Sequence, residues 1–222
     1  METDINIEFY GLPGCGKTTV STIVADELER KGYRVIRPGT EISDSVNPLL
    51  RRIRKICRTS VVCVKHPKVI LEVDRIVRVN GYNNLLPRLK QDINIAIKLY
   101  YYLNNNGALV IWDQGITQAA ISLAVNGKIS GCENENKLLS LCDSFNIIHI
   151  YISEEIDTVL KRMESRESNN SRVEKEKNTM LKRKMLNEIL KACDSIDANV
   201  MVFGKGRKPK AIAEEILGKC GK

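Results

Sequence analysis

The chain has 222 residues, 43% of them hydrophobic, and a formal net charge of +8; this length buries one α/β core without requiring a second domain, and the charge favours anionic partners such as nucleotides, phosphorylated metabolites or nucleic acid. Only 5% of the residues are aromatic, and no basic stretch alternates with aromatics as a base-stacking platform would, so nucleic acid is not the expected ligand. Seven scattered cysteines without a C-x-x-C pair, and only His66 and His149 beside them, argue against a zinc site or a disulfide framework, while the acidic start METDINIEF and the want of a bilayer-length apolar run predict a soluble, cytoplasmic protein with no membrane partner.

Residues 5–10, INIEFY, alternate and are rich in Ile, Phe and Tyr, which predicts a short strand running into GLPGCGKT, Gly11 to Thr18. Val20, Ile23, Val24 and Leu28 then recur at helical spacing up to Gly32, a helix stop. YRVIRPG reads as a second strand closed by Pro38 and Gly39. From Asn47 to about Asn106 the chain reads as helical, broken near Pro67, Gly81 and Pro87, with LKQDINIAIKLYYYLNNNG its clearest helix. ALVIWD is a nearly continuous apolar run ending in a carboxylate, the pattern of a strand buried on both faces of a parallel sheet. NIIHIYIS, residues 146–153, and ANVMVF, residues 198–203, follow it, and PKAIAEEILGK is the last helix. Strands alternating with helices predict right-handed crossovers and a five-stranded parallel sheet with helices on both faces, in one domain spanning 1–222.

Strand, G-x-x-x-x-G-K-T and helix in succession is the context that a phosphate-binding loop requires. Gly11, Gly14 and Gly16 let the backbone wrap with its N–H groups inward, and the positive end of the next helix points at the same spot. Lys17 is then the point charge for the terminal phosphates, Thr18 the hydroxyl for Mg²⁺, and Thr19 a donor to the α-phosphate. With Pro13 and Cys15 these residues make up the expected nucleotide-binding set. Cys15 is either a modifiable thiol among the loop's N–H dipoles or a small residue that the loop tolerates, the second being the expectation. Lys17 is expected in a solvated position.

A phosphate loop alone does not separate a kinase from a GTPase, a motor or a helicase. No N-K-x-D stretch reads guanine, and 222 residues leave no room for the helical lid domain of an AAA-type ATPase. The stretch YISEEIDTVLKRMESRESNNSRVEKE, residues 151–176, reads as a strand and then a helix from near Ser153, whose hydroxyl is placed to cap it. Arg162 and Arg166 fall four residues apart on one helix face, and Arg172 follows in a polar segment. This stretch resembles the lid of the nucleoside- and nucleotide-kinase family, and of thymidylate kinases in particular. The resemblance implies a phosphate-loop NTPase three-layer sandwich with a helical lid at about 162–175. It implies Arg162 against the adenine, Arg166 on the transferring phosphates and Arg172 in the closing segment. Closing cations stabilise charge spread over a phosphoryl group in flight and exclude water that would hydrolyse ATP. A solvated helix face would carry the same residues; their order and distance from the loop favour the lid.

Two further stretches resemble the same family. VIRPGT, residues 35–40, is similar to the R-E-P-G-G-T after the second strand, one residue short and without the acid. VIWDQG, residues 110–115, stands where the family has a strand ending in Asp-Arg, which implies that Asp113 acts through water on Mg²⁺ or helps position the acceptor oxygen. Gln114 replaces an arginine that contacts the acceptor's own phosphate, and so favours a nucleoside or another hydroxyl compound. LLRRIRKICR, residues 49–58, either supplies replacement cations or is a basic face exposed to solvent, the latter being the expectation. FGKGRKPK, residues 203–210, is an adenine-side loop on position alone.

The expected protein is thus an ATP- and Mg²⁺-dependent kinase acting on a nucleoside or nucleotide, with Lys17, Asp113, Arg162, Arg166 and Arg172 as its working side chains, Thr18 and Asp113 as the metal side, and a homodimer compatible with all of this. Two other readings stay open. A sugar or antibiotic kinase shares every ATP-side residue and is separated only by acceptor screening. A nucleotide-binding regulatory or nucleic-acid-associated ATPase predicts affinity that falls steeply with salt.

Overall fold

The computed structural model describes residues 5–39, 47–126, 133–165, 172–196, 200–204 and 207–220. Five parallel strands, β1 (Asn6–Gly11), β2 (Val35–Ile36), β3 (Leu109–Trp112), β4 (Ile147–Ile152) and β5 (Val200–Phe203), form one sheet in the order β2-β3-β1-β4-β5. The chain leaves β1 through α1 (Lys17–Arg30) towards β2, returns beside β1 as β3, and leaves β3 through α5 (Ile116–Asn126) towards β4. Parallel neighbours need such crossovers because a hairpin cannot join them. The connections after β1 and β3 therefore depart in opposite senses. The crevice between them, at the carboxyl ends of the strands, is where open α/β sheets bind ligands.

Alternation along the strands decides which face each residue serves. Ile7 and Phe9 of β1, Ile111 of β3, Ile150 and Ile152 of β4 meet Val20, Val24 and Leu28 of α1 and Ile212 and Ile216 of α10 (Pro209–Cys220) in one core. Each fully buried side chain of this kind contributes about 2 kcal/mol over leaving it in water. Val110 and Trp112 face the other way, into a second core with α4 (Leu85–Leu103), α5 and α6 (Glu133–Ser140), while Tyr10 and Tyr151 stack at 5.1 Å beneath α5 and α9 (Thr179–Asp194). Helices cover both faces, which is why the strands are apolar nearly throughout.

Several expectations are corrected by this packing. β2 pairs over two residues only, Val35 with Leu109 and Ile36 with Val110. Pro87 breaks nothing; it is the third residue of α4, in a first turn whose N–H groups have no helical acceptor to lose. The helix expected from Ser153 begins three residues later as α7 (Ile156–Glu164), because the Ser153 amide continues the sheet by donating to the Phe203 carbonyl at 3.0 Å, and no side chain caps it. α7 is described to Glu164, and Arg166 lies outside the described residues. The stretch 49–58 lies in α2 (Pro48–Lys65), whose outward face is not simply basic: Leu49, Leu50, Ile53 and Ile56 are all exposed. Arg58 turns inward instead, its guanidinium 4.7 Å from the Tyr101 ring and donating to the Tyr101 hydroxyl. After α2 comes α3 (Pro67–Val79), and α8 (Arg172–Lys175) precedes α9. No described helix is long and apolar enough to cross a membrane.

Candidate nucleotide site

β1 runs into the loop at Gly11, where φ is +141° and a Cβ would lie 2.6 Å from the Ile152 carbonyl oxygen of β4, so no other residue fits. The loop closes with the Cys15 amide donating to the Leu12 carbonyl at 3.2 Å. Gly16, at φ +101°, is the left-handed residue that turns the chain into α1 and accepts from the Val20 amide at 3.1 Å. The first amides of α1 follow directly, and a helix start of this kind presents N–H groups and a positive dipole end to an anion. No side chain caps it.

Lys17, expected in a solvated position, is only 7% exposed. Its ammonium folds back over the loop and donates to the Leu12 carbonyl at 2.7 Å and the Gly11 carbonyl at 3.0 Å, with Cys15 Sγ at 3.7 Å. The correction has a simple cause. The Gly11 and Leu12 carbonyls lie within reach of a long flexible cation, which satisfies them at close range. Cys15 is buried under the same loop.

Thr18, at the second position of α1, donates its hydroxyl to Asp113 Oδ2 at 3.0 Å. Asp113 follows β3, the strand paired with β1, so sheet register brings together two residues 95 positions apart. A hydroxyl and a carboxylate are hard oxygen donors, the set that Mg²⁺ takes beside phosphate oxygens and water; among the described residues there is no group of three or more His, Cys, Asp or Glu side chains to hold a metal by protein ligands alone. A cavity of about 210 Å³ opens here, lined by Thr18, Thr22, Arg37, Gly39 and Asp113. Arg37, from VIRPGT, is paired with Asp26 and, at 3.5 Å, with Glu29 of α1.

A second cavity of about 190 Å³ is lined by Pro13, Lys17, Gln114 and Gln118, with Val173 from the segment read as the lid and Met185 from α9. Gln118 accepts from the Gly11 amide at 3.2 Å and so ties α5 to the loop. Arg162 of α7 reaches the loop as well, donating to the Cys15 carbonyl at 3.4 Å while paired with Glu154 at 2.9 Å. Thr19 is exposed next to Thr18. Arg172 opens α8, next to Val173 in the cavity wall. Arg207, in the stretch 203–210, lies with its guanidinium 5.5 Å from the Phe203 ring and is paired with Glu215 at 2.5 Å.

Sequence reasoning missed the polar row beneath the site. Register sets Trp112, Glu8 and His149 side by side on β3, β1 and β4. Glu8 is 0% exposed; it accepts from the Ile116 amide at 2.6 Å, the Thr117 amide at 2.9 Å, the Thr117 hydroxyl at 2.6 Å and the Tyr102 hydroxyl. A carboxylate at the start of α5 complements that helix end. Because the Thr117 hydroxyl gives its proton to Glu8, His149 Nδ1, 2.8 Å away, is the donor to that hydroxyl. Burial lowers the His149 pKa below its ordinary value, and burial, with the Glu8 charge next, pushes the Tyr102 hydroxyl well above its own. The available signal was a lone acid in the apolar strand INIEFY.

Sheet, loop and crossovers define a phosphate-loop NTPase fold. Residues 7–95, less than half of the chain, match the family model described as ATPase family associated with various cellular activities (AAA), a span that takes in the phosphate loop and stops before β3 and Asp113. Shikimate kinase from Acinetobacter baumannii, solved in complex with shikimate, is similar in structure over 96% of this chain and 91% of that one, at 16% identity and a TM-score of 0.50. The crystal structure of APE1195 aligns over 100% and 97% of the two chains, at 16% identity and a TM-score of 0.44. No curated protein matches the chain. At such identities the likeness concerns the fold.

Proposed function

We propose that the chain is one ATP-dependent kinase domain that transfers the γ-phosphoryl group of Mg-ATP to a small molecule, a nucleoside or nucleotide in the manner of thymidylate kinases. The observation that carries this reading is a phosphate loop with Lys17 in the lining of one cavity and the Thr18–Asp113 pair in the lining of another, which supports a site for a nucleotide's phosphates and a second reactant. Bound Mg-ATP supplies the transferable phosphoryl group and a cation that neutralises it. The first amides of α1 and the Lys17 ammonium bind the phosphate oxygens, Thr18 and Asp113 hold the metal side, and Arg162, Arg166 and Arg172 close the segment 162–175 over the site and keep water out. The kinase neighbour solved with shikimate supports a small-molecule acceptor through its fold only. Gln114 and Gln118 present amides rather than cations to the cavity beside Lys17, which supports an acceptor that meets this wall with an uncharged edge.

ADP formation from Mg-ATP, measured with nucleosides, nucleoside monophosphates, shikimate and sugars added one at a time, tests the reading: stimulation by one class supports a kinase and names its acceptor, and turnover indifferent to all of them contradicts it. In the same assay Asp113→Ala should lower kcat about 10- to 100-fold, the usual cost of losing a group that orients a metal's shell, while nucleotide affinity measured in EDTA stays unchanged. An unaltered kcat would remove Asp113 from the mechanism.

The homodimer reading rests on the outward seam of α2. Leu49, Ile53 and Ile56 repeat at spacings of four and three, the spacing at which one helix packs on another, and each is about half exposed or more. Sedimentation should therefore give a dimer, and Ile53→Glu a monomer; a monomeric wild type would refute this point.

A further inference from the structure

Beside the Glu8 row stands a cation that none of the chemistry above requires. Lys98 of α4 is 7% exposed, in the apolar stretch INIAIKLYYYL. Its ammonium donates to the Gln114 carbonyl at 2.8 Å and lies 4.7 Å from the centroid of the Trp112 ring. Around it are Glu8 from β1, Asp113 from the end of β3 and, as the like charge, Lys55 from α2. A methionine or leucine would fill this place without carrying a charge out of water.

The ammonium and the Glu8 carboxylate grip opposite ends of one short turn. Lys98 holds the carbonyl of Gln114, and Glu8 holds the amides of Ile116 and Thr117. Gly115 lies between them, and a Cβ there would run into the Glu8 carboxyl. Asp113 is the residue just before the gripped segment, and its carboxylate meets the Thr18 hydroxyl at 3.0 Å. A side chain that serves a metal's shell must be held within about 0.5 Å, which a free strand-to-helix turn does not do.

We propose that Lys98 is a positioning residue: with Glu8 it clamps the Trp112–Thr117 turn so that Asp113 is held where the Mg²⁺ of a bound nucleotide needs it. The inference rests on the reading above for what Asp113 serves, but not on any acceptor. A structural filler and a positioning cation differ in what their loss does. Burial holds the Lys98 pKa down at about 8, against an ordinary 10.5. The unfolded chain thus binds that proton more tightly than the folded one. Stability rises with pH between about 8 and 10.5, and at pH 7 the charge subtracts from stability. In a neutral replacement the relief of that charge is opposed by the loss of the donor to the Gln114 carbonyl and of the cation beside Glu8, so the ligand-free fold should lose stability only modestly.

The test is Lys98→Met in the full chain, with Lys98→Gln as a second neutral variant should Met not fold. In saturating ADP, the Mg²⁺ concentration giving half of the maximal rise in Tm should increase about tenfold or more, while ADP affinity in EDTA stays within about twofold and the ligand-free Tm at pH 7 falls by no more than a few degrees. An unchanged Mg²⁺ midpoint overturns the proposal, and so does an ADP affinity in EDTA that falls in step with it. Because these readouts involve binding alone, a wild type that binds Mg-ADP and phosphorylates no acceptor would defeat the kinase reading and leave this one standing.

Discussion

Replacing Lys17 with methionine should weaken ATP binding by about 100-fold or more while leaving the protein folded. The ammonium is nine-tenths buried against its own loop, and its three near acceptors are the Leu12 and Gly11 carbonyls and the Cys15 sulfur. All three belong to the loop, so the cation is stored where a phosphate would arrive and needs only a side-chain rotation to meet it. Removing one partner of a desolvated charge pair costs about 2–5 kcal/mol of binding, and each factor of ten in affinity is about 1.4 kcal/mol. The hydrogen bonds lost in the free protein leave the buried Gly11 and Leu12 carbonyls unpaired at about 1–3 kcal/mol each, a cost that a fold of this size survives, and methionine keeps the side chain's volume over Leu12. Titration calorimetry with ATP and a thermal melt of the same sample check both halves. Unchanged affinity would remove the phosphate-loop assignment; an unfolded variant would mean that Lys17 holds the loop rather than the ligand.

Glu8→Ala should be the most damaging single change to the fold, costing about 3–5 kcal/mol. The carboxylate receives four donors from two helices: the amides of Ile116 and Thr117 and the Thr117 hydroxyl of α5, and the Tyr102 hydroxyl of α4. Alanine leaves all of them without an acceptor in a place that water does not reach, and adds a cavity under α5. At roughly 2–4 °C per kcal/mol for a chain of this size, Tm should fall by on the order of 10 °C. Glu8→Gln, which keeps one acceptor oxygen, should lose less. The loss also travels to the site, since Gln118, one residue beyond Thr117, holds the Gly11 amide. An unfolding free energy from urea titration within about 1 kcal/mol of wild type would show that the row is not a support for the fold.

The parts of this fold legible in the sequence are those where one short stretch carries the whole signal. β3 and β4 are nearly continuous apolar runs, because burial on both faces leaves few positions free to be polar, and β1 shows as the short apolar stretch that runs into the loop. The phosphate loop is legible for the same local reason: Gly11 and Gly16 are required by the backbone itself. What escaped depends on distance along the chain. The Ser153 amide looks free to start a helix until β5, fifty residues on, takes it into the sheet. Pro87 looks like a break until the helix start is known, and nothing in the helix around Lys98 tells that Trp112 and Gln114 close over it. Glu8 was visible as an anomaly in its strand, but its meaning lay in the start of a helix more than a hundred residues away.

The most direct measurement is the fate of the label when γ-³²P-ATP and Mg²⁺ are given to the protein with the acceptor panel, using Lys17→Met as the blank. The account predicts label in one organic acceptor, with inorganic phosphate no higher than in the blank. Label released only as inorganic phosphate, whichever acceptor is present, would mean that the loop serves an ATPase and not a kinase.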